Sequence, residues 1–253
     1  MSADFEGRVV LVTGSARRVG RAIALAFADL GANLVIHHAS PGSAELARTA
    51  LAEAKSRGVD ALITSGDQGS PQDVARMIAN IRAYYGGLDV LVNSASIFER
   101  KPFMEIEYEE WQRVMDVNLT GPFMLIQGAA RLMRENGRGG VIVNIADNGG
   151  LNGWVSFPHH SVSKAGLIML TRIAALALAE HNIRVNCVVP GPVLLPPGST
   201  HDLEEHLIAT LPLGRLGSPD NVAQACVFLA RNDFATGSVL RVDGGEGVAA
   251  SGR

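Results

Sequence analysis

Three side chains that can exchange protons lie close together near the middle of the 253-residue chain. His160 precedes Lys164 by four residues, and Asp147 comes thirteen residues before His160, just after an apolar run. Residues four apart share one face of a helix, so His160 and Lys164 can point into the same cleft. An imidazole can act as a general acid near neutral pH, and a nearby carboxylate favours its charged form. This spacing predicts a proton-transfer site.

A glycine-rich turn near the N-terminus is the second functional signal. An apolar run over residues 9–13 leads into the sequence TGSARRVG and then into a helical pattern. Gly14 permits a sharp turn, Gly20 lets the helix pack close to the strand, and the N–H groups at the helix start can face a phosphate. A glycine-rich turn alone is a weak signal, but its position after the first predicted strand favours dinucleotide binding.

Short apolar runs alternate with amphipathic segments along almost the whole chain. The runs are not strict alternations, which indicates burial on both faces and parallel pairing. This repetition predicts a single α/β domain over residues 1–253, with a doubly wound, Rossmann-type, mainly seven-stranded parallel sheet. The predicted strands are 9–13, 33–37, 61–64, 89–92, 141–145, 184–189 and 239–242. The predicted helices include 21–30, 44–56, 71–84 and 111–134.

One irregular segment interrupts this pattern. Residues 190–200 read PGPVLLPPGST, a composition that cannot continue a helix or a central strand. The segment follows a strand end, where ligands bind in such sheets, so residues 190–215 are a candidate substrate lid. The alternative is a plain surface connection.

Composition and charge restrict the function classes. The net charge of −3 gives no basic field for nucleic acid or an anionic membrane. Cys187 and Cys226 lie in apolar runs outside any metal-ligand spacing, so we expect buried thiols and no metal. The most apolar helical run, 165–179, falls short of the roughly 20 residues of a membrane span. The N-terminus has no signal-peptide pattern, so we expect a soluble cytoplasmic protein.

Taken together, the motifs resemble those of the short-chain dehydrogenase/reductase family. TGSARRVG resembles the family's TGxxxGxG fingerprint, with Arg18 in place of the middle glycine, and is similar to the TGAAKRLG form of pteridine reductases within that family. The resemblance covers about residues 9–245 and implies an NAD(P)-dependent oxidoreductase. The other motifs follow in the family's order: Asn93-Ser94-Ala95-Ser96, Asp116-Val117-Asn118, Val143-Asn144-Ile145, Pro190-Gly191 and the segment 236–245.

The resemblance also implies catalytic roles. In the family a Tyr donates a proton, a Lys lowers the pKa of that Tyr and holds the nicotinamide ribose, a Ser orients the carbonyl and an Asn positions a water chain. The corresponding positions are His160, Lys164, Asp147 and Asn118, respectively. Pteridine reductases also carry Asp at the Ser position but retain the Tyr, whereas none of the three tyrosines here lies within helical reach of Lys164. Either His160 supplies the acid or the site no longer reduces a substrate. His159 faces another side of the helix and is expected to be a surface residue or a residue at the rim of the site.

The end of the second predicted strand bears on the choice of cofactor. It reads VIHHAS, with no carboxylate to bind a ribose 2′-hydroxyl or to repel a 2′-phosphate, and Arg17 comes from the neighbouring turn. This pattern favours NADP(H) over NAD(H). The residues expected at the cofactor are Gly14, Ser15, Arg17, Arg18, Val19, Gly20, His38, Ser40, Asp67, Gln68, Asn93, Ser94, Ala95, Lys164, Pro190, Gly191 and Val193.

The substrate is indicated by aromatic residues. Phe98 resembles the Phe with which pteridine reductases sandwich a flat ring, and Ser96 and Trp154 are further candidate pocket residues. The leading hypothesis is therefore NADP(H)-dependent reduction of a C=N bond in a dihydropterin or folate-type heterocycle. One alternative is carbonyl reduction of the 3-oxoacyl-carrier-protein type, suggested by the segment 213–217; another is a catalytically silent nucleotide-binding protein. The family resemblance also implies a homotetramer, with dimer faces on helices 111–134 and 165–179.

Overall fold

The computed structural model describes residues 4–195 and 198–249 and contains a sheet of seven parallel strands. The strands are β1 Val9–Val12, β2 Asn33–His38, β3 Ala61–Ser65, β4 Val90–Asn93, β5 Gly140–Ile145, β6 Ile183–Pro190 and β7 Val239–Val242. Their order in the sheet is β3-β2-β1-β4-β5-β6-β7. This topology confirms the predicted doubly wound α/β fold; residues 1–3, 196–197 and 250–253 of the predicted domain lie outside the described residues.

Helices connect the strands. They are α1 Arg18–Ala28, α2 Ala44–Ser56, α3 Pro71–Tyr85, α4 Tyr108–Met115, α5 Gly121–Glu135, α6 Gly149–Asn152, α7 Pro158–Leu178, α8 His201–Thr210, α9 Pro219–Arg231 and α10 Glu246–Ala249. A π-helical turn, Asp116–Thr120, lies between α4 and α5, and short 3-10 turns cover Pro41–Ser43, Phe103–Glu105 and Ala179–His181.

The sheet has an apolar core on each face. In β1, Val10 points to the core shared with α1 and α9, whereas Leu11 points to the core shared with α3 and α5. All four residues of β1 are buried. Because both faces are covered, the central strands are continuous apolar runs, as the sequence pattern indicated.

The strand order reverses between β1 and β4, and this reversal brings two sequence motifs together. The Thr13 hydroxyl, directly after β1, accepts hydrogen bonds from the backbone N–H groups of Ser94 (3.0 Å) and Ala95 (2.9 Å), which follow β4. Ligands bind in such sheets at the carboxyl ends of the strands, at the point where the order reverses. The glycine-rich turn and residues 93–95 therefore share one crevice.

Two predicted helices differ from the structure. The first begins at Arg18 rather than at residue 21, so Gly20 lies within its first turn. The helix predicted over 111–134 is two helices, α4 and α5, separated by the π-helical turn that contains Asn118. The apolar pattern did not reveal this turn because five residues are too few to distinguish a wider helical turn from a period of 3.6 residues. Turns of this kind are often found at functional sites.

Helix α7 is longer than the predicted segment 165–179. Together with the following 3-10 turn, Pro158–His181 is long and apolar enough, by length and composition, to cross a membrane, which corrects the sequence estimate. One face of α7 packs on the sheet and buries Lys164, Leu167 and Thr171. A helix that packs on a sheet core has the same composition, so this property alone is weak evidence for a membrane span.

Candidate active site

Asp147 and His160 meet at the carboxyl end of the sheet. Asp147 follows β5, and His160 lies in the first turn of α7. The carboxylate Oδ2 atom of Asp147 lies 2.6 Å from the Nε2 atom of His160. Gly149 makes this approach possible, because a Cβ atom there would lie 3.0 Å from Asp147 Oδ1 and 2.7 Å from the Trp154 ring. The structure therefore brings together the two ionisable groups that the sequence singled out.

The other ring nitrogen of His160 faces the main chain. Its Nδ1 atom lies 2.9 Å from the carbonyl oxygen of Ile97, in the loop after β4. Asn118 contacts the same residue twice: its Oδ1 accepts from the Ile97 N–H (2.8 Å) and its Nδ2 donates to the Ile97 carbonyl (2.9 Å). Asn118 is thus joined to His160 through the main chain of Ile97.

Lys164 lies beneath this pair. Its ammonium group is buried and donates a hydrogen bond to the carbonyl of Ile145 at 2.8 Å. Burial lowers the pKa of Lys164, and the nearby charge of Asp147 opposes that effect.

The charge state of Asp147 follows from its neighbours. Burial raises the pKa of this carboxyl group, but the hydrogen bond from His160 and the positive charge of Lys164 outweigh burial, and the pKa lies below its usual range. Asp147 is therefore a carboxylate at neutral pH. About 18% of its side chain is exposed, compared with 1% for His160.

Aromatic rings surround the imidazole. Trp154 lies parallel to His160, with an interplanar angle of 3° and centroids 6.3 Å apart, and Phe98 meets the imidazole edge-to-face at 4.7 Å. Phe157 stacks on Phe98 at 4.2 Å and 16° and therefore covers one face of that ring. Phe98 is nonetheless 47% exposed, so it can still contact a ligand; Ser96, two residues earlier, is also exposed. The structure thus places Phe98 and Trp154 beside the acid pair.

The prediction for His159 is wrong. Its side chain is only 1% exposed, because the loop after β4 and helix α4 pack over the start of α7. Burial lowers the pKa of His159, while the charge of Glu99 opposes that effect. A helix start that is covered on two sides hides residues that a simple helical wheel would place outside.

A histidine that the sequence did not single out fixes the glycine-rich turn. The Gly14 N–H donates to Nδ1 of His37 at 3.0 Å, and Nε2 of His37 lies 2.9 Å from the carbonyl of Gly66. The backbone N–H of His37 donates to the Ser15 hydroxyl at 2.9 Å. Burial lowers the pKa of His37 to about 4, although the Gly66 carbonyl opposes this effect, so the imidazole stays neutral and keeps one tautomer.

The glycine-rich turn has the close packing that a dinucleotide phosphate requires. A Cβ atom on Gly20 would lie 2.5 Å from the carbonyl oxygen of Gly14, and a Cβ on Gly14 would lie 3.2 Å from Ala95. Gly14 also has φ +70°, a conformation that favours glycine. Two buried acceptors, Asn93 Oδ1 and Gln68 Oε1, have no hydrogen-bond partner among the described residues. These features fit a bound nucleotide.

The other residues assigned to the cofactor lie around this crevice. Arg17 is exposed, His38 is buried with its Nδ1 donating to the Ser40 carbonyl at 2.9 Å, and Asp67 forms an ion pair with Arg113 at 2.7 Å. The structure therefore leaves Arg17 open to the solvent in the glycine-rich turn, directly before α1.

Arg18 connects the turn to the candidate lid. Its φ of +54° is unusual for a residue with a side chain, and its guanidinium donates to the carbonyls of Leu194 (3.3 Å) and Leu195 (3.1 Å). Within 190–215 the structure describes the end of β6, a loop to residue 195 and helix α8, whereas Pro196 and Pro197 lie outside the described residues. Gly191 packs against Asp243, where a Cβ atom would lie 2.7 Å from the main chain, and Val193 packs against Gly217.

Sequence reasoning missed three contributors to the site: His37, Phe157 and the carbonyl of Ile97. Each acts through a contact between segments far apart in the chain, and a carbonyl group has no residue type that could mark it. The one available signal was the histidine itself, since a polar residue inside an apolar strand needs a partner when buried.

A doubly wound parallel sheet with a glycine-rich turn at its switch point defines a dinucleotide-binding α/β protein. The family model described as enoyl-(acyl carrier protein) reductase matches residues 14–246. The chain belongs to the short-chain dehydrogenase/reductase family and is an NAD(P)-dependent oxidoreductase by that membership.

Curated relatives and a solved structure agree with this family. The chain is 36% identical to an L-rhamnose 1-dehydrogenase (NAD(P)(+)) of Sphingomonas sp. (strain SKA58), over 95% of this chain and 96% of that protein. It is 36% identical to a 3-oxoacyl-[acyl-carrier-protein] reductase of Staphylococcus aureus, over 93% and 96%. It superposes with a TM-score of 0.88 and 32% identity on a blue fluorescent protein from a metagenomic library in complex with NADPH, covering 95% of this chain and 98% of that one.

Proposed function

We propose that this protein is an NADP(H)-dependent reductase that acts on a C=N bond of a flat heterocycle of the dihydropterin or folate type. The observation that carries the proposal is the Asp147–His160 pair at the edge of an aromatic cluster. Reduction of a C=N bond needs one proton on nitrogen in addition to a hydride. This pair holds a proton between His160 Nε2 and Asp147 Oδ2. Exposed Phe98 offers a planar contact, and offset stacking contributes on the order of 1 kcal/mol beyond burial.

The residues that would hold the cofactor belong to the crevice at the strand switch. The N–H groups at the start of α1 suit a pyrophosphate, and Lys164 and Asn93 suit the nucleoside that carries the nicotinamide, as the family resemblance implies. A bound NADPH would supply the hydride. NADP(H) is preferred in this proposal because no acidic residue that would repel a 2′-phosphate follows β2, where His38 and Ser40 stand instead, and because Arg17 of the glycine-rich turn is exposed.

Reduction or oxidation at a carbonyl carbon is the second candidate. The names of the relatives favour it, since one oxidises a sugar and the other reduces a 3-oxoacyl group. The residues that stand here at the family's Ser and Tyr positions, Asp147 and His160, argue against that chemistry. A catalytically silent, nucleotide-binding protein is the third candidate.

A substrate panel separates these candidates. NADPH consumption is measured with dihydrobiopterin, dihydrofolate and acetoacetyl-coenzyme A, and NADP⁺ reduction with L-rhamnose, between pH 5 and 8. We expect turnover with dihydrobiopterin or dihydrofolate and no turnover with the other two compounds. Turnover with the oxoacyl compound or the sugar alone would replace it with the second candidate, and tight NADPH binding without any turnover would leave the silent protein. The double variant Asp147→Ser/His160→Tyr, which restores the family pair, should gain carbonyl reduction and lose pterin reduction.

A further inference from the structure

The hydrogen bonds around Ile97 fix the proton on one nitrogen of His160. The Ile97 carbonyl can only accept, so the His160 Nδ1 atom at 2.9 Å must carry a hydrogen. The same carbonyl oxygen also accepts a hydrogen bond from Asn118 Nδ2, so both lone pairs of the Ile97 oxygen are used. Nδ1 is therefore a donor in the neutral and in the charged imidazole alike.

The Asn118 amide has only one orientation that satisfies its neighbours. Its Oδ1 accepts from the Ile97 N–H, so its Nδ2 hydrogens go to the Ile97 carbonyl and to the Ser163 hydroxyl at 3.1 Å. Ser163 can accept because its own hydrogen goes to the His160 carbonyl at 2.6 Å. The 3.4 Å approach between Asn118 Nδ2 and His160 Nδ1 is thus a contact between two donors.

Only Nε2 of His160 can gain or lose a proton, and it faces Asp147. The imidazole is 1% exposed, with Trp154 parallel to it and Phe98 against its edge. The Asp147 side chain is 18% exposed, so it is the member of the pair that a ligand can reach. Asp147 Oδ1 is buried, and Oδ2 is the oxygen that is hydrogen-bonded to His160.

We propose that His160 never contacts the substrate: Asn118 and the Ile97 carbonyl lock it as a positioning residue that stores a proton for Asp147, and Asp147 alone exchanges that proton with the ligand. This inference rests on the proposed function only for the identity of the proton acceptor. It reverses the simplest family comparison, in which His160 would replace the phenol. It also gives Asn118 a task other than holding a water chain to Lys164.

The proton balance is as follows. Before reduction the pair is an imidazolium and a carboxylate, with one proton between Nε2 and Oδ2. As a hydride from reduced nicotinamide reaches the carbon of the C=N bond, the Nε2 proton moves to Oδ2 and from there to the substrate nitrogen. Asp147 is again a carboxylate and His160 is neutral with its Nδ1–H retained; one proton from the solvent, entering through Asp147, restores the imidazolium.

Other charged groups face this pair and bear on its pH dependence. Lys164 lies next to Asp147, and His159 precedes His160 on α7. Burial raises the pKa of Glu246 on α10, and the negative charges of Asp243 and Asp147 raise it further. Asn148 donates to Glu246 at 2.6 Å, which keeps that carboxyl group next to the site. Glu246→Gln is therefore a useful control, because it removes a charge without changing the hydrogen bonds of Asn118 and the Ile97 carbonyl around His160.

Nitrogen NMR of protein labelled with ¹⁵N-histidine tests, without any substrate, whether Asn118 and the Ile97 carbonyl keep the proton on Nδ1 of His160. The His160 signals are assigned by their loss in His160→Gln. Between pH 5 and 9 we expect Nδ1 to stay protonated and to exchange slowly at every pH, in the wild type and in Glu246→Gln. Asn118→Ala should speed exchange at Nδ1 at least tenfold. An unprotonated Nδ1 in neutral wild-type His160 would overturn the proposal, and so would Nδ1 exchange that Asn118→Ala leaves unchanged.

Single-turnover kinetics on NADPH-loaded protein test the order of the two groups. Asp147→Asn should lower the rate about 10²–10⁴-fold at every pH, the usual cost of losing a positioned acid. His160→Gln, which keeps an N–H toward Asp147, should lose at least about tenfold less, and its rate should keep rising as the pH falls because Asp147 must then take its proton from the solvent. Equal losses with flat pH profiles would mean that His160 donates directly. A wild type that reduces no substrate would refute the proposed function. The NMR result would still show whether Nδ1 of His160 is kept protonated by Asn118 and the Ile97 carbonyl.

Discussion

At the level of single residues, the ionisation of Asp147 depends on its partners. Burial opposes the carboxylate, and His160 and Lys164 more than compensate, so the pKa of Asp147 is lowered. A carboxyl group whose pKa is lower in the folded than in the unfolded protein stabilises the fold above its unfolded pKa. That contribution is lost as the pH falls through the lowered folded pKa.

The lowered pKa of Asp147 in the folded protein gives a prediction for Asp147→Asn. The variant should unfold at a lower temperature than the wild type at pH 7, because it loses the charge that pairs with His160. The difference in Tm should shrink as the pH falls below about 4, where the unfolded wild-type carboxyl group becomes protonated. Thermal unfolding followed by circular dichroism between pH 3 and 7 measures it. A Tm difference that is constant over this range would contradict the assigned pKa shift.

The second prediction for a single residue concerns Arg17 and the choice between NADPH and NADH. If it binds a 2′-phosphate, Arg17→Ala should weaken NADPH binding about tenfold, equivalent to about 1.4 kcal/mol, and leave NADH binding unchanged. Arg48→Ala, an exposed arginine on α2, is the matched control. Fluorescence titration gives both dissociation constants. Parallel losses for NADPH and NADH would show that Arg17 does not read the phosphate.

At the level of elements, the contact between α1 and β1 depends on Gly20. A Cβ atom at this position would meet the Gly14 carbonyl at 2.5 Å, and a main-chain atom cannot rotate away as a flexible side chain can. The turn and the helix must therefore separate if any larger residue is placed there.

We expect Gly20→Ala to destabilise the protein by about 1–3 kcal/mol, the usual cost of overpacking, and to weaken cofactor binding. Gly42→Ala is the control, because its nearest neighbour would be 3.9 Å away and its backbone conformation suits alanine. Urea unfolding measures both variants. Equal stability of the two would show that the turn adapts freely.

At the level of the whole molecule, apolar side chains remain exposed on one face of α7. They include Met169 (51% exposed), Ile173 (57%) and Leu176 (84%), and Phe123 of α5 is 43% exposed. Such a patch marks a candidate protein–protein interface. It lies on the two helices to which the family resemblance assigns the dimer faces, and a cytoplasmic homotetramer remains our prediction.

The double variant Ile173→Glu/Leu176→Glu tests this assembly. Two charges placed within a buried interface should break it, so light scattering should show a smaller species than for the wild type. Leu46→Glu, on α2, serves as the control because its side chain is exposed outside this face. A wild type that is monomeric at micromolar concentration would remove the prediction altogether.

Much of the architecture could be predicted from the sequence because it depends on local patterns. Continuous apolar runs gave parallel strands buried on both faces, and the turn after β1 gave the nucleotide crevice, since these patterns fix which side chains must leave water. The pairing of Asp147 with His160 could also be predicted, because Asp147 follows a strand and His160 lies at the start of the next long helix, on the same side of the sheet.

Tertiary structure alone decided what these groups can do. Whether His160 faces a ligand or Asp147 depends on the carbonyl of Ile97, 63 residues away, and the tautomer of His37 depends on Gly14 and Gly66. The burial of His159 and the π-helical turn at Asn118 likewise arise from packing between distant segments. Residue types set which hydrogen bonds are possible, and only the folded chain chooses among them, because each donor must find its acceptor in space and not along the sequence.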